Sequence, residues 1–206
     1  MDELRDVGLP HPATAGPPPG EDPESRSLAR LADERALAPR VVVPAAAEAA
    51  FYRLNHLGGR LDALFDGLAS DDPDEDEIEE VAPEARRLLA GHVLLDVWVD
   101  AFYDACRPLP ARLRVRRAGD AGRTATNGRP ALLALRAVWA DAWQDEAIVA
   151  RLRAGGGVRP EPAATIVHGD DRPLDASAQA TVEAVLGGDW RAFADADGAI
   201  TRLERS

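Results

Sequence analysis

The chain has 206 residues and no lysine: its 24 basic side chains are all arginine, against 36 aspartates and glutamates, for a formal net charge of −12. Without lysine there is no Walker-type phosphate loop, no Schiff-base pyridoxal chemistry and no kinase-like nucleotide lysine. The acidic balance opposes long-range attraction to nucleic acid and to anionic membranes, and the length suffices for one full-sized domain with its own core.

Residues 1–24 contain the stretch PHPATAGPPPGEDP, whose Pro and Gly content cannot bury enough apolar surface to fold alone. A flexible arm is expected there, with 25–206 as the globular domain. The first ten residues carry acids and no apolar core, so no signal peptide is expected. Leu28, Leu31 and Leu37 with interleaved charges predict a short amphipathic helix over 25–38. Val41, Val42 and Val43 read as a short strand or a buried linker. Pro44 suits a first helical turn, and Phe51, Leu54, Leu57, Leu61, Leu64, Phe65 and Leu68 then recur every three or four residues to about Ala69. Gly58 and Gly59 inside that pattern mark a kink or a close helix crossing.

The acids of 71–80, DDPDEDEIEE, suit a helix N-terminus after Pro73, with Pro83 separating that turn from a long helix over 84–106 that Pro108 and Pro110 stop. No apolar run reaches the roughly 18 residues of a membrane span. Cys106 is the only cysteine, so no internal disulfide can form and a reducing cytoplasm is the expected setting. It follows Phe102, Tyr103 and Ala105, and reads as a buried structural thiol; beside Arg107, the alternative is a reactive one. Residues 112–130 look irregular or hairpin-like, with RLRVRR alternating and Asn127-Gly128 as a turn. Pro130 opens a helix carrying Trp139 and Trp143 on one face to Leu152, and three glycines end it. A short strand at 164–167, a helix capped by Asp175 or Ser177, and a last helix from Asp189 complete the chain. Aromatic content of 5% leaves the core to Leu, Val and Ala, which favours helices. The expected fold is all-α or mainly α: a single-domain bundle of about five to seven helices, with at most a small β element near Val41, Arg112 and Ile166.

Three constellations bear on chemistry. His92, Asp96, Asp100 and Asp104 are spaced by four, which on one helix makes a narrow polar stripe. Turned outward it is a solvated edge, the reading preferred here. Turned inward, His92, Asp96 and Asp100 could hold a divalent cation, joined by His56 or Glu48. His168, Gly169, Asp170 and Asp171 follow the apolar run Thr165-Ile166-Val167; a metal site using His168 and Asp170 with Asp171 fits by ligand type. A strand ending in His-Gly-Asp also resembles the catalytic loop of aminoglycoside-phosphotransferase-like kinases, a likeness spanning about 20 residues. It implies Asp170 as base and Asp189 as metal ligand. The chain departs from that pattern in lacking the phosphate lysine, in Asp175 where the family has Asn, and in its helical pattern between the two aspartates. A turn after a strand explains HGDD without it.

Third, eight arginines and one acid, Asp120, lie between Arg107 and Arg136. Arg112, Arg114, Arg116, Arg117 and Arg123 are the expected partner-binding residues, with the acidic 71–80 run, in the same chain or in another copy, as the simplest counterpart. No cofactor is identified. The sequence points to a non-enzymatic interaction or structural subunit, with a protein partner or self-association and without general nucleic-acid or membrane binding; the alternative is a metal-dependent enzyme or metal-binding bundle.

Overall fold

Valine and isoleucine crowd χ1 and suit pleated strands, and the runs around Val41 and Ile166 meet as neighbours in one sheet. The computed structural model describes residues 9–13, 23–68, 74–188 and 190–205. Its elements in chain order are β1 (His11–Ala13), α1 (Pro23–Leu31), β2 (Arg40–Val43), α2 (Ala45–Leu54), α3 (Leu57–Leu64), α4 (Glu75–Ala90), α5 (Asp96–Cys106), β3 (Arg112–Arg117) and β4 (Arg123–Thr126). There follow α6 (Arg129–Asp141), α7 (Asp145–Arg153), β5 (Thr165–Gly169), β6 (Arg172–Pro173), α8 (Ala176–Leu186), β7 (Trp190–Ala194) and β8 (Ile200–Arg205).

The expected helical bundle is therefore corrected. Two antiparallel sheets stand among the helices, a five-stranded one in the order β1-β2-β5-β3-β4 and a three-stranded one in the order β6-β7-β8. The architecture is mixed α/β. Alternation along the strands of the large sheet separates two faces. Val41, Val43, Leu113, Val115 and Val167 enter the main core, together with Phe51, Trp98, Phe102, Trp139 and Trp143 from the helices. The opposite parity brings Arg40, His168 and Arg114 side by side in register on the other face, with Arg116 opposite Ile166. A smaller core, Leu28 and Leu31 of α1 with Val182, Leu186, Ala192, Ile200 and Leu203, joins α1 and α8 to the three-stranded sheet.

Several expected elements change for local reasons. The helix foreseen from Pro44 to Ala69 breaks at Asn55 and His56, where His56 takes a left-handed backbone (φ 50°) ahead of α3. Pro83 does not end a turn but lies inside α4, whose start is fixed by Asp74 accepting from the backbone N–H groups of Asp76 (3.1 Å) and Glu77 (3.3 Å). The long helix over 84–106 is two helices, interrupted after Ala90 and resumed at Asp96. The helix from Pro130 also divides, at 142–144.

The last expected helix is the β7–β8 hairpin. There the Asp195 carboxylate accepts from Asp197 N (3.0 Å) and Ala199 N (2.9 Å), and Gly198 supplies a positive φ of 82°. That turn chemistry outweighs the helix preference of the surrounding alanines. Part of the expected arm is ordered by pairing: β1 lies antiparallel to β2, and Pro23 and Glu24 begin α1. Residues 1–8 and 14–22 of the expected arm, like Asp189, lie outside the described residues.

Candidate functional site

Each of the five sequence-named arginines finds a carboxylate within the chain, and two of them, Arg114 and Arg116, do so where the large sheet meets the elements of the smaller core. Arg116, fully buried, donates to Glu24 through both terminal nitrogens (2.7 and 2.5 Å) and through Nε to His168 Nε2 (3.1 Å). Glu24 also accepts from Gly119 N (2.8 Å) and Leu203 N (3.1 Å), so one carboxylate ties α1 to β3, the β3–β4 turn and β8. Since arginine can only donate, His168 Nε2 is the acceptor and Nδ1–H donates to Gly169 O at 2.7 Å. Burial, reinforced by the Arg116 charge, pushes the His168 pKa down to about 3, so the ring is neutral. Arg40 shares this interior: burial lowers its pKa, the Glu24 charge opposes that and Arg116 adds to it. Its Nη1 is buried without a hydrogen-bond acceptor among the described residues.

The remaining residues of the HGDD run are also engaged. A Cβ on Gly169 would sit 2.9 Å from Pro110 Cγ, so close packing asks for glycine there. Asp170 lies 3.3 Å from Arg112 and 3.7 Å from Arg114; Asp171 lies 3.0 Å from Arg114 Nε and accepts from Arg202 Nε at 2.5 Å. Arg117 donates to buried Glu48 at 2.6 Å, and Glu48 accepts also from Ala163 N at 3.0 Å. Burial raises the Glu48 pKa while Arg117 opposes it. Arg123 makes a two-pronged bond to Asp141 (2.8 and 2.6 Å). Within the chain the arginine segment thus pairs with Glu24, Glu48, Asp104, Asp141, Asp170 and Asp171. The described acids of the 71–80 run meet it nowhere, Glu75 pairing with Arg153 instead.

The His92 stripe is dispersed. His92 sits between α4 and α5, with Nδ1 2.6 Å from Leu88 O and Nε2 3.0 Å from Arg60, while Asp96, Asp100 and Asp104 are exposed on α5. His56 is exposed at the α2–α3 break. Among the described residues, no three His, Cys, Asp or Glu side chains converge as a metal site requires, and no helix is long and apolar enough to cross a membrane. Cys106 is fully buried, and burial pushes its thiol pKa up to about 12. Trp139 donates to Thr165 Oγ1 (3.1 Å) and Trp143 to Tyr52 Oη (2.8 Å), both from within the core.

What stands open is apolar. The α4–α5 linker carries the run Val93-Leu94-Leu95, and Asn55 Nδ2 ties it to α2 by donating to Phe51 O (2.9 Å) and Val93 O (3.3 Å). Between α2 and this linker lies a crevice of about 100 Å³, floored by Ala47, Ala50, Phe51 and Trp98 and walled by Leu54 and Leu95. Of the six large apolar side chains exposed among the described residues, Leu54, Val93 and Leu95 line this crevice. The expected helix over 84–106 included Val93 and Leu95; the break after Ala90 leaves both exposed on the linker. No protein-family model matches the chain, and no curated protein matches it significantly.

Proposed function

We propose that this chain is a non-catalytic interaction subunit that docks on a different, net-basic protein through the crevice between α2 and the α4–α5 linker. The observation that carries the reading is the gathering of the exposed Leu54, Val93 and Leu95 around one concavity, with Val93 74% exposed. Contiguous apolar surface of this kind marks interaction sites, because leaving it in water costs free energy that a partner recovers. A second copy is the weaker occupant: two chains of −12 repel each other, whereas a basic partner is attracted. The exposed carboxylates of Asp96 and Asp100, on the helix that opens next to Leu95, suit basic flanks on an inserted apolar anchor. The same charge disfavours nucleic acid and anionic membranes. The single buried thiol supports a cytoplasmic setting.

The test compares the wild-type chain with Val93→Asp, a change at a position exposed enough to leave the fold intact. Each is used to capture partners from the native cells, and the captured protein is then purified and titrated against both by calorimetry. A direct complex weakened about tenfold or more by Val93→Asp is expected. Equal affinity of the two forms, or a wild-type dimer in sedimentation that Val93→Asp dissociates, would overturn the reading.

A further inference from the structure

A second concavity differs from the docking crevice in size and charge. Between α4, α6 and β4 runs a cleft of about 500 Å³, the size range of small-molecule sites. Its helices present short side chains along the gap, Pro83 and Ala90 from one, Ala137 and Ala140 from the other, which is why the space stays open. Leu133, half exposed, adds apolar surface at its edge. Around this apolar lining stand Arg86, Arg87, Arg123 and Arg136 against the single acid Asp141. A local excess of three positive charges is notable in a chain whose net charge is −12.

Internal pairing lowers that excess to two, because Arg87 is paired with Glu84 just outside the lining, and leaves Arg86 and Arg136 as the surplus. Asp141 is bonded bidentately to Arg123, so Arg86, 3.9 Å away, obtains only a distant share of the same carboxylate. Arg136 donates to the carbonyls of Leu89 and Ala90 at the end of α4, and its Nε is buried without an acceptor among the described residues. Guanidinium groups at the mouth of an apolar cleft recognise carboxylates through paired N–H donors while the lining takes up the hydrocarbon.

We propose that the cleft between α4 and α6 binds a small organic anion, a carboxylate carried on an apolar body, with Arg86 and Arg136 at the carboxylate and Leu133 and Ala137 along the hydrocarbon. The site is independent of the docking crevice, which shares no lining residue with it and has no arginine in its lining.

Octanoate is the probe, titrated into the full chain and followed by backbone amide shifts. Saturable shifts confined to α4, α6 and β4 are expected, and octylamine and inorganic phosphate should not reproduce them. Arg86→Gln and, separately, Leu133→Asp change exposed positions, and each should weaken octanoate binding about tenfold. Phosphate binding as tightly as octanoate would show a patch that reads charge alone. A polyglutamate peptide binding where octanoate does not would show a peptide groove. Either result, absence of saturable octanoate shifts, or unchanged affinity in both variants overturns the proposal.

Discussion

Acidification should destabilise this fold through His168, and the size of the effect follows from where the ring sits. Its pKa falls from an ordinary 6.5 to about 3 in the folded chain, because burial and then the Arg116 charge disfavour the imidazolium. A group whose folded pKa is depressed binds more protons in the unfolded state, so the stability it confers is complete above about pH 6.5 and drains away as pH falls towards 3. Each pH unit inside that window is worth about 1.4 kcal/mol. Between pH 6.5 and 4.5 the loss is about 3 kcal/mol, a large share of a stability of about 5–15 kcal/mol.

The comparison is wild type against His168→Gln, which keeps an acceptor for Arg116 Nε and cannot titrate. Urea unfolding at several pH values from 7.5 to 4.5 isolates the ring, since all other groups contribute to both proteins. At pH 7.5 the variant should be the less stable of the two, by about 1–2 kcal/mol. That deficit should shrink and reverse as pH falls. Parallel stability curves across the range would refute the assignment of a buried, neutral His168.

Two further perturbations probe the same interior. Glu24→Ala leaves Arg116 and Arg40 buried without their carboxylate and should cost about 3–5 kcal/mol, while adding Arg116→Met should restore part of it; a double-mutant cycle on urea midpoints showing additive losses would contradict the pairing. Gly122→Ala places a Cβ 2.3 Å from Arg116 Cβ and 2.5 Å from Val115 O at a φ of 69°, and should lower stability by several times the roughly 1 kcal/mol expected for Gly119→Ala, where φ is 82° and no atom lies within 4 Å. Thermal melts of the two variants give the comparison directly, and equal losses would show that the β3–β4 turn is looser than described.

Much of the chain was legible from short-range pattern. The helical run after Pro130, the Asp175 cap of α8, the extended valines of β2 and the hairpin at 112–130 each follow from residue type and spacing within one or two turns. The Asp-Ala-Asp-Gly turn before β8 was a readable hairpin signal that the alanines around it obscured. His92 leaves the polar stripe for a related reason: a spacing of four places residues on one face only while the helix continues, and it is interrupted from 91 to 95, so that only Asp96, Asp100 and Asp104 share an exposed face. Glu24 was hidden by its position, at the edge of a stretch whose composition argues against order.

By itself, the sequence determined what chemistry is absent: without lysine there is no phosphate-loop or Schiff-base enzyme, and with one buried cysteine no internal disulfide. It also placed the arginines and the surplus of acid. Only the tertiary structure decided which arginines are spent and which are left over. Arg116 finds its carboxylate 92 residues away, and Arg117 finds Glu48 69 residues away. Such pairs form where two faces of a folded sheet are brought against other elements, and the cost of burying an unpaired charge selects them; neither condition leaves a mark in local spacing. The same folding left Arg86 and Arg136 beside an open cleft, because the helices that carry them meet through residues too small to fill it.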